Sequence, residues 1–373
     1  MKKKIIFFIN DLDFFISHRL RIAQKLNKKK FEIYVACPNN HRSKNILKKN
    51  KIQFLSLDLQ RTKMSFFTEI KTLIKTYKII YNIKPDIIHL ITLKPIIYGG
   101  LLSILFNKIK VVFSIAGLGH IFFNKKMYLR KNLFILLIRF AVKFNKSILI
   151  FQNNESITYF KKLKILRKKT NYILTKGSGV DLKIFKPKKI KNKNFTVLLA
   201  SRMVWEKGIY EFVQAYKILI KKRLNIKFIL AGRVDSDSPS AINISYLRNL
   251  NNKNNKNFKW IGFQKNIKKI INSSDVVVLP SYHEGAPKVL LEAAACGKPI
   301  VASNIDGCRE IVKNNYNGFL IPVKNSNQLA KKIEILYSNK KLHKKMSKNN
   351  IIKSKKFFSV EKVVEKHIKV YEQ

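Results

Sequence analysis

The sequence predicts an α/β protein built from two doubly wound parallel-sheet domains in series. Short apolar runs alternate with longer helical stretches along all 373 residues. The runs are apolar throughout rather than at every second position, as parallel strands covered on both faces must be. The arrangement occurs twice, on either side of a polar, basic stretch near the midpoint, KPKKIKNKN (186–194), which suits a linker. That midpoint break argues against one large sheet carrying a helical insertion.

In the first half the strand candidates are KIIFFIN (4–10), FEIYVAC (31–37), IQFLSLD (52–58), DIIHLIT (86–92), KVVFSIA (110–116) and SILIFQN (147–153). Helical stretches such as SHRLRIAQKLNKK (17–29) separate them. The first run mimics a secretory signal, but its apolar part ends at Asn10 and Asp11, too soon for the apolar region of a signal peptide. It reads as a buried first strand. The second half offers FTVLLAS (195–201), KFILAGR (227–233), FKWIGF (258–263), DVVVLPS (275–281), PIVAS (299–303) and GFLIPV (318–323). Between them lie helices such as KGIYEFVQAYKILIKK (207–222), and the chain ends in a helix, SVEKVVEKHIKVYEQ (359–373). Sheets of this kind bind ligands at the carboxyl ends of their strands, so two of them predict a cleft between the domains.

The charge is extreme: 76 basic against 21 acidic residues, a formal net charge of +55. Such a balance favours anionic partners, either nucleotide phosphates or an anionic membrane. Lysine is spread over the whole chain, as a compositional bias on solvated faces would be. Nucleic acid is not an expected partner, because arginine is scarce (12 of the 76) and no basic-aromatic motif occurs. Cys37, Cys296 and Cys308 form no C-x-x-C pair, so neither a disulfide framework nor a zinc site is expected, and the usage fits a reducing cytosol. No uninterrupted apolar run approaches the ~20 residues that span a bilayer.

Two segments carry the chemistry. In LLASRMVWEKGIYEFVQAY (198–216) a strand ends at Ser201, a loop carries Arg202 and Lys207, and Gly208 opens a helix. Basic side chains beside a helix N-terminus at a strand tip make a phosphate site. In SYHEGAPKVLLEAAACGKPIVAS (281–303), Glu284 falls in the loop at a strand tip, Pro287 lies at the first helical turn, and Gly297 ends the helix. Glu292 sits one turn beyond Lys288 on the same face. Gly285 and Ala286 are small enough for a ligand to approach the backbone. Singly, Glu284 reads as a helix cap and Glu292 as a surface residue. Together, two glutamates around a small-residue loop in so basic a chain read as a site, with Glu292 a natural acceptor for vicinal ribose hydroxyls.

The spacing E-x7-E from Glu284 to Glu292 resembles that of glycosyltransferase family 4, retaining sugar-nucleotide transferases of the GT-B fold. Further segments resemble the same family: GSGVDLKIF (177–185), which opens the second domain, SRMVWEKG (201–208) and GCREIVKNNYNGFLIPV (307–323). The stretches NDLDFFISHRLRIA (10–23), HLITLKPIIYGG (89–100) and SIAGLGHIF (114–122) look like bacterial enzymes that extend lipid-linked saccharides for O-antigen, lipopolysaccharide or capsule. The first loop, NDLDFFISH (10–18), departs from the Gly-Gly pair that many members carry there.

The resemblance implies a role for each matching residue. Arg202 and Lys207 hold the donor diphosphate, Glu292 the ribose hydroxyls, and Glu284 the donor sugar, with Gly285, Ala286 and Pro287 lining the site. Gly117 and His120 face the sugar from the first domain, while His18 opens the helix after the first strand on the acceptor side. Such a reaction takes a nucleotide-sugar, by the same resemblance a UDP-sugar, as substrate and calls for neither cofactor nor metal. The matching domains are 1–175 on the acceptor side and 176–355 for the nucleotide-sugar, with a C-terminal helix, 356–373, crossing back.

Two other enzyme classes stay open at this stage. A metal-dependent transferase would use a D-x-D motif, and Asp11-Leu-Asp13 and Asp235-Ser-Asp237 both follow strands. A UDP-sugar epimerase would share the architecture but need no acceptor. The segment MYLRKNLFILLIRFAVKFNKS (127–147), apolar on one side with basic ends, reads either as a core helix or as an interfacial helix on an anionic leaflet. The second reading places the protein in the cytoplasm, peripheral on the inner face of the membrane.

Overall fold

The structure is a computed structural model that describes residues 2–29, 31–39, 41–59, 66–115, 128–188, 190, 194–236, 238–251 and 256–373. The chain forms two compact units, one of residues 1–178 with 361–373 and one of residues 179–360. The basic stretch 186–194 falls inside the second span, where the Lys188 amide donates to Asn272 Oδ1 at 2.9 Å.

The first unit contains β1 (Lys4–Phe8), β2 (Glu32–Cys37), β3 (Gln53–Ser56), β4 (Ile87–Ile91), β5 (Lys110–Ile115), β6 (Ser147–Phe151) and β7 (Asn171–Leu174). They lie in the order β3-β2-β1-β4-β5-β6-β7, and every pairing is parallel. The second unit contains β8 (Phe195–Ala200), β9 (Ile226–Ala231), β10 (Phe258–Trp260), β11 (Val276–Leu279), β12 (Ile300–Ser303) and β13 (Gly318–Ile321). Their order is β10-β9-β8-β11-β12-β13, again all parallel. All twelve expected strands form. β7 was not expected, because Asn171 and Tyr172 are exposed at the edge of the sheet and leave no apolar run.

The inner strands of both sheets are buried, and every residue of β4 and β11 is so, whereas the edge strands β3 and β7 have no buried residue. Each large aliphatic or aromatic side chain so buried contributes about 1.5–3 kcal/mol. The first unit also has a polar core. His89, in the central strand β4, is fully buried; its Nε2 lies 2.7 Å from Ser114 Oγ and its Nδ1 2.7 Å from Tyr371 OH. Tyr371 and the buried His367 come from the C-terminal helix Val360–Glu372, which is thereby fixed to the first unit. Arg19, 1% exposed, adds a buried cation that donates to the His18 carbonyl.

Burial, then the Arg19 charge, pushes the His367 imidazole down to about 3, and His89 well below its ordinary value for the same reasons. Both rings are neutral in the folded protein. In the unfolded chain they take up protons below about 6.5. The unfolded state therefore binds more protons as pH falls, and stability present above pH 6.5 is lost below it. We expect Tm to drop between pH 7 and pH 5, each histidine costing about 1.4 kcal/mol per pH unit below its unfolded value. A His367→Gln variant, which cannot be charged, should show a shallower fall in Tm; an unchanged pH profile contradicts this reading.

Candidate active site

In the second sheet the chain winds outward from β8 in one direction through β9 and β10, and in the other through β11, β12 and β13. The loops after β8 and β11 therefore leave adjacent strands at the point where strand order reverses, the place where open α/β sheets bind ligands. Arg202 and Lys207 lie after β8; Glu284 to Pro287 lie after β11.

The two loops are locked together. After β8 the chain makes one 3-10 turn, Trp205–Lys207, and Gly208 follows at φ +74 as the N-cap of helix Ile209–Lys221. A Cβ at Gly208 would stand 2.2 Å from the Pro280 carbonyl oxygen, so glycine is required both for the backbone angle and for the contact. The Tyr282 amide donates to the Glu206 carbonyl at 2.9 Å, and its hydroxyl to Glu211 Oε1 at 2.9 Å. Glu211 is 3% exposed. Behind the second loop, a Cβ at Gly307 would meet the carbonyl oxygens of Glu284 and Gly285 at 2.6 Å, so the short helix Asp306–Arg309 backs this loop directly.

Within this frame Lys207 Nζ lies 2.5 Å from Glu284 Oε1, with 18% and 11% of the side chains exposed. Helix Lys288–Ala295 starts after Pro287, with no side chain capping its N-terminus. It closes with the Gly297 amide donating to Ala294 O and the Lys298 amide to Ala293 O, and Gly297 is left-handed at φ +69. Glu292 is 7% exposed and sits 3.5 Å from Lys288 Nζ one turn back. Burial raises the Glu292 carboxyl above its ordinary value, and Lys288 opposes this. Arg202 forms an ion pair with Asp235, from the loop after β9.

A cation and a carboxylate in contact on two braced, sheltered loops, beside an uncapped helix N-terminus and a buried carboxylate on that helix, can hold a diphosphate and hydroxyl groups together. Residues 180–353 match the family model of group 1 glycosyl transferases, and residues 4–154 match that of the glycosyl transferase 4-like domain. The chain is a glycosyltransferase of this family. It is 28% identical over 351 residues (89% of this chain, 88% of the relative) to the N,N'-diacetylbacillosaminyl-diphospho-undecaprenol alpha-1,3-N-acetylgalactosaminyltransferase of Campylobacter jejuni. It is also 28% identical over 360 residues (93% and 90%) to the UDP-Gal:alpha-D-GlcNAc-diphosphoundecaprenol alpha-1,3-galactosyltransferase of Escherichia coli. The crystal structure of Anabaena HepE in complex with UDP and glucose superposes over the whole of both chains with a TM-score of 0.79 at 20% identity. Sucrose-phosphate synthase from Thermosynechococcus elongatus gives 0.81 at 16%, covering 100% of this chain and 99% of its own. The fold is therefore GT-B.

The structure of the glycosyltransferase brings Arg202, Lys207, Glu284, Gly285, Ala286, Pro287 and Glu292 onto two neighbouring loops and one helix. Gly117 and His120 lie outside the described residues. His18 does not open a helix as expected; it closes helix Leu12–His18. Asp11 is the reason. Its carboxylate accepts the Asp13 amide at 2.8 Å and the Phe14 amide at 3.2 Å, which starts the helix earlier. His18 stacks on Phe14, with ring centroids 4.0 Å apart, and its Nδ1 lies 2.7 Å from Ser17 Oγ.

In the two D-x-D stretches, aspartates serve other partners. Asp11 caps a helix and Asp235 pairs with Arg202, while Asp237 lies outside the described residues. Among the described residues no three His, Cys, Asp or Glu side chains gather to hold a metal ion. Sequence reading offered Asp235 only within a D-x-D motif, not as the partner of Arg202, and missed Glu211 and Tyr282 as parts of the site.

Proposed function

We propose that this glycosyltransferase moves a hexose or N-acetylhexosamine from a UDP-sugar to a polyprenyl-diphosphate-linked saccharide, with retention at the anomeric carbon, in surface polysaccharide synthesis. The observation that carries the site assignment is the Lys207–Glu284 contact at 2.5 Å on the two loops at the switch point. Lipid-linked acceptors are what the names of the C. jejuni and E. coli relatives specify, and the E. coli name also specifies a UDP-sugar.

In this reading Arg202, Lys207 and the N-terminus of helix Lys288–Ala295, which no side chain caps, hold the donor diphosphate. Glu292 accepts hydrogen bonds from the ribose hydroxyls. Glu284 contacts the sugar, and Gly285, Ala286 and Pro287 let it approach the backbone. As the bond from the sugar to the diphosphate breaks, the sugar becomes oxocarbenium-like and the leaving diphosphate gains negative charge. Fixed cations and helix amides stabilise that charge without reorganising. The leaving group needs little protonation, so no strong general acid is required. Retention follows from attack on the face the diphosphate leaves, with a phosphate oxygen taking the acceptor's proton. The reaction calls for no metal. Incubation with UDP-, GDP- and dTDP-sugars and a lipid-linked acceptor tests the reading; transfer from UDP-sugars that survives chelator supports it. Activity that vanishes with chelator and returns with manganese, or epimerised donor without acceptor, overturns it.

The membrane reading has support of the same kind. Helix Tyr128–Phe144 exposes Leu133, Leu136, Phe140 and Phe144 by 48–59%, with Lys143 among them. An apolar face with a basic fringe suits the surface of an anionic leaflet. No helix among the described residues is long and apolar enough to cross a membrane. We propose that the first unit rests on the inner face of the cytoplasmic membrane, where its acceptor would lie. Flotation with liposomes should succeed with anionic lipid; equal failure with and without it sinks the idea.

A further inference from the structure

Each cation at the site faces a carboxylate: Lys207 faces Glu284, Lys288 faces Glu292, and Arg202 faces Asp235. The two glutamates have substrate roles in the reading above. Asp235 has none, yet it holds the guanidinium assigned to the diphosphate.

Their pairing is set by the backbone. The Met203 amide donates to the Arg233 carbonyl at 2.9 Å, and Met203 bridges Val234, which binds the loop after β8 to the loop after β9. The Asp235 carbonyl accepts the Ser238 amide at 2.9 Å, so the aspartate sits at the start of a turn. The side chain of Arg202 is 48% exposed and that of Asp235 19%, so an incoming anion can reach the pair. Carboxylate and phosphate use the same planar fork of N–H donors, so they compete for it.

We propose that Asp235 is a resident counter-ion that the donor diphosphate displaces from Arg202 and that recaptures Arg202 as the nucleoside diphosphate leaves. It thereby lowers affinity for the product and speeds its release. This rests on the assignment of Arg202 to the diphosphate. A merely orienting aspartate would have the opposite sign, since removing it would weaken nucleotide binding.

The test is the Kd of UDP for the full-length wild type, Asp235→Asn, Arg202→Ala and the double variant, with Glu334→Gln as a distant charge control. Asp235→Asn should bind UDP about threefold to tenfold more tightly, the range for relieving one partly exposed charge contact. Product inhibition by UDP should strengthen in step. The gain should largely disappear in the Arg202→Ala background, and the control should leave Kd unchanged. Unchanged or weaker binding by Asp235→Asn overturns the proposal, as does equal tightening with and without Arg202. If Arg202→Ala itself binds UDP as the wild type does, the diphosphate assignment fails first.

Discussion

Lys207→Ala is expected to lower kcat by about 10²- to 10³-fold, the cost of removing one preorganised charge from a developing anion. In the proposed function the ammonium faces the leaving diphosphate, and only 18% of its side chain is exposed, so little water can replace it. The change has a second cost. Glu284, 11% exposed and 2.5 Å away, would be left as a sheltered carboxylate without its cation, which destabilises the loop that carries it. Lys207→Arg should recover only part of the loss, because a planar fork does not fit where a compact ammonium touches one carboxylate oxygen. The charge matters most in the transition state, so kcat should fall more than donor KM rises. Steady-state kinetics with the donor varied decides this; a fall in kcat of less than about tenfold contradicts the role.

Glu292→Ala should raise donor KM by about 10- to 100-fold, as loss of hydrogen bonds to a charged acceptor does, with a smaller effect on kcat. Glu292 lies on the helix rather than at the breaking bond, so its contacts are the same in ground and transition states. An unchanged donor KM would contradict the role. The wild type should carry a pH signature as well. Burial raises the Glu292 carboxyl above the ordinary glutamate value of about 4.3, and protonation removes the acceptor. Donor KM should therefore rise as pH falls through that raised value, and Glu292→Ala should lack this dependence.

The sheets were legible because parallel strands buried on both faces leave unbroken apolar runs: KIIFF and FTVLLA become β1 and β8. β7 was not, because NYIL at an exposed edge carries no such run. The glutamate pair was legible through its spacing and its setting in a basic chain. What surrounds it was not. The contact of Gly208 with Pro280, the Tyr282–Glu211 hydrogen bond and the Arg202–Asp235 pair join residues 33 to 72 positions apart, and no local period records them. His18 shows the same limit on a shorter scale: one capping aspartate moved the helix start and with it the residue's place.

In the proposed function Lys207 serves the diphosphate and Glu292 the ribose. Titration calorimetry with UDP and with inorganic pyrophosphate separates the two. Lys207→Ala should weaken both ligands, whereas Glu292→Ala should weaken UDP and leave pyrophosphate as in the wild type. Equal weakening of both ligands by Glu292→Ala, or wild-type UDP affinity in that variant, would contradict this division of roles.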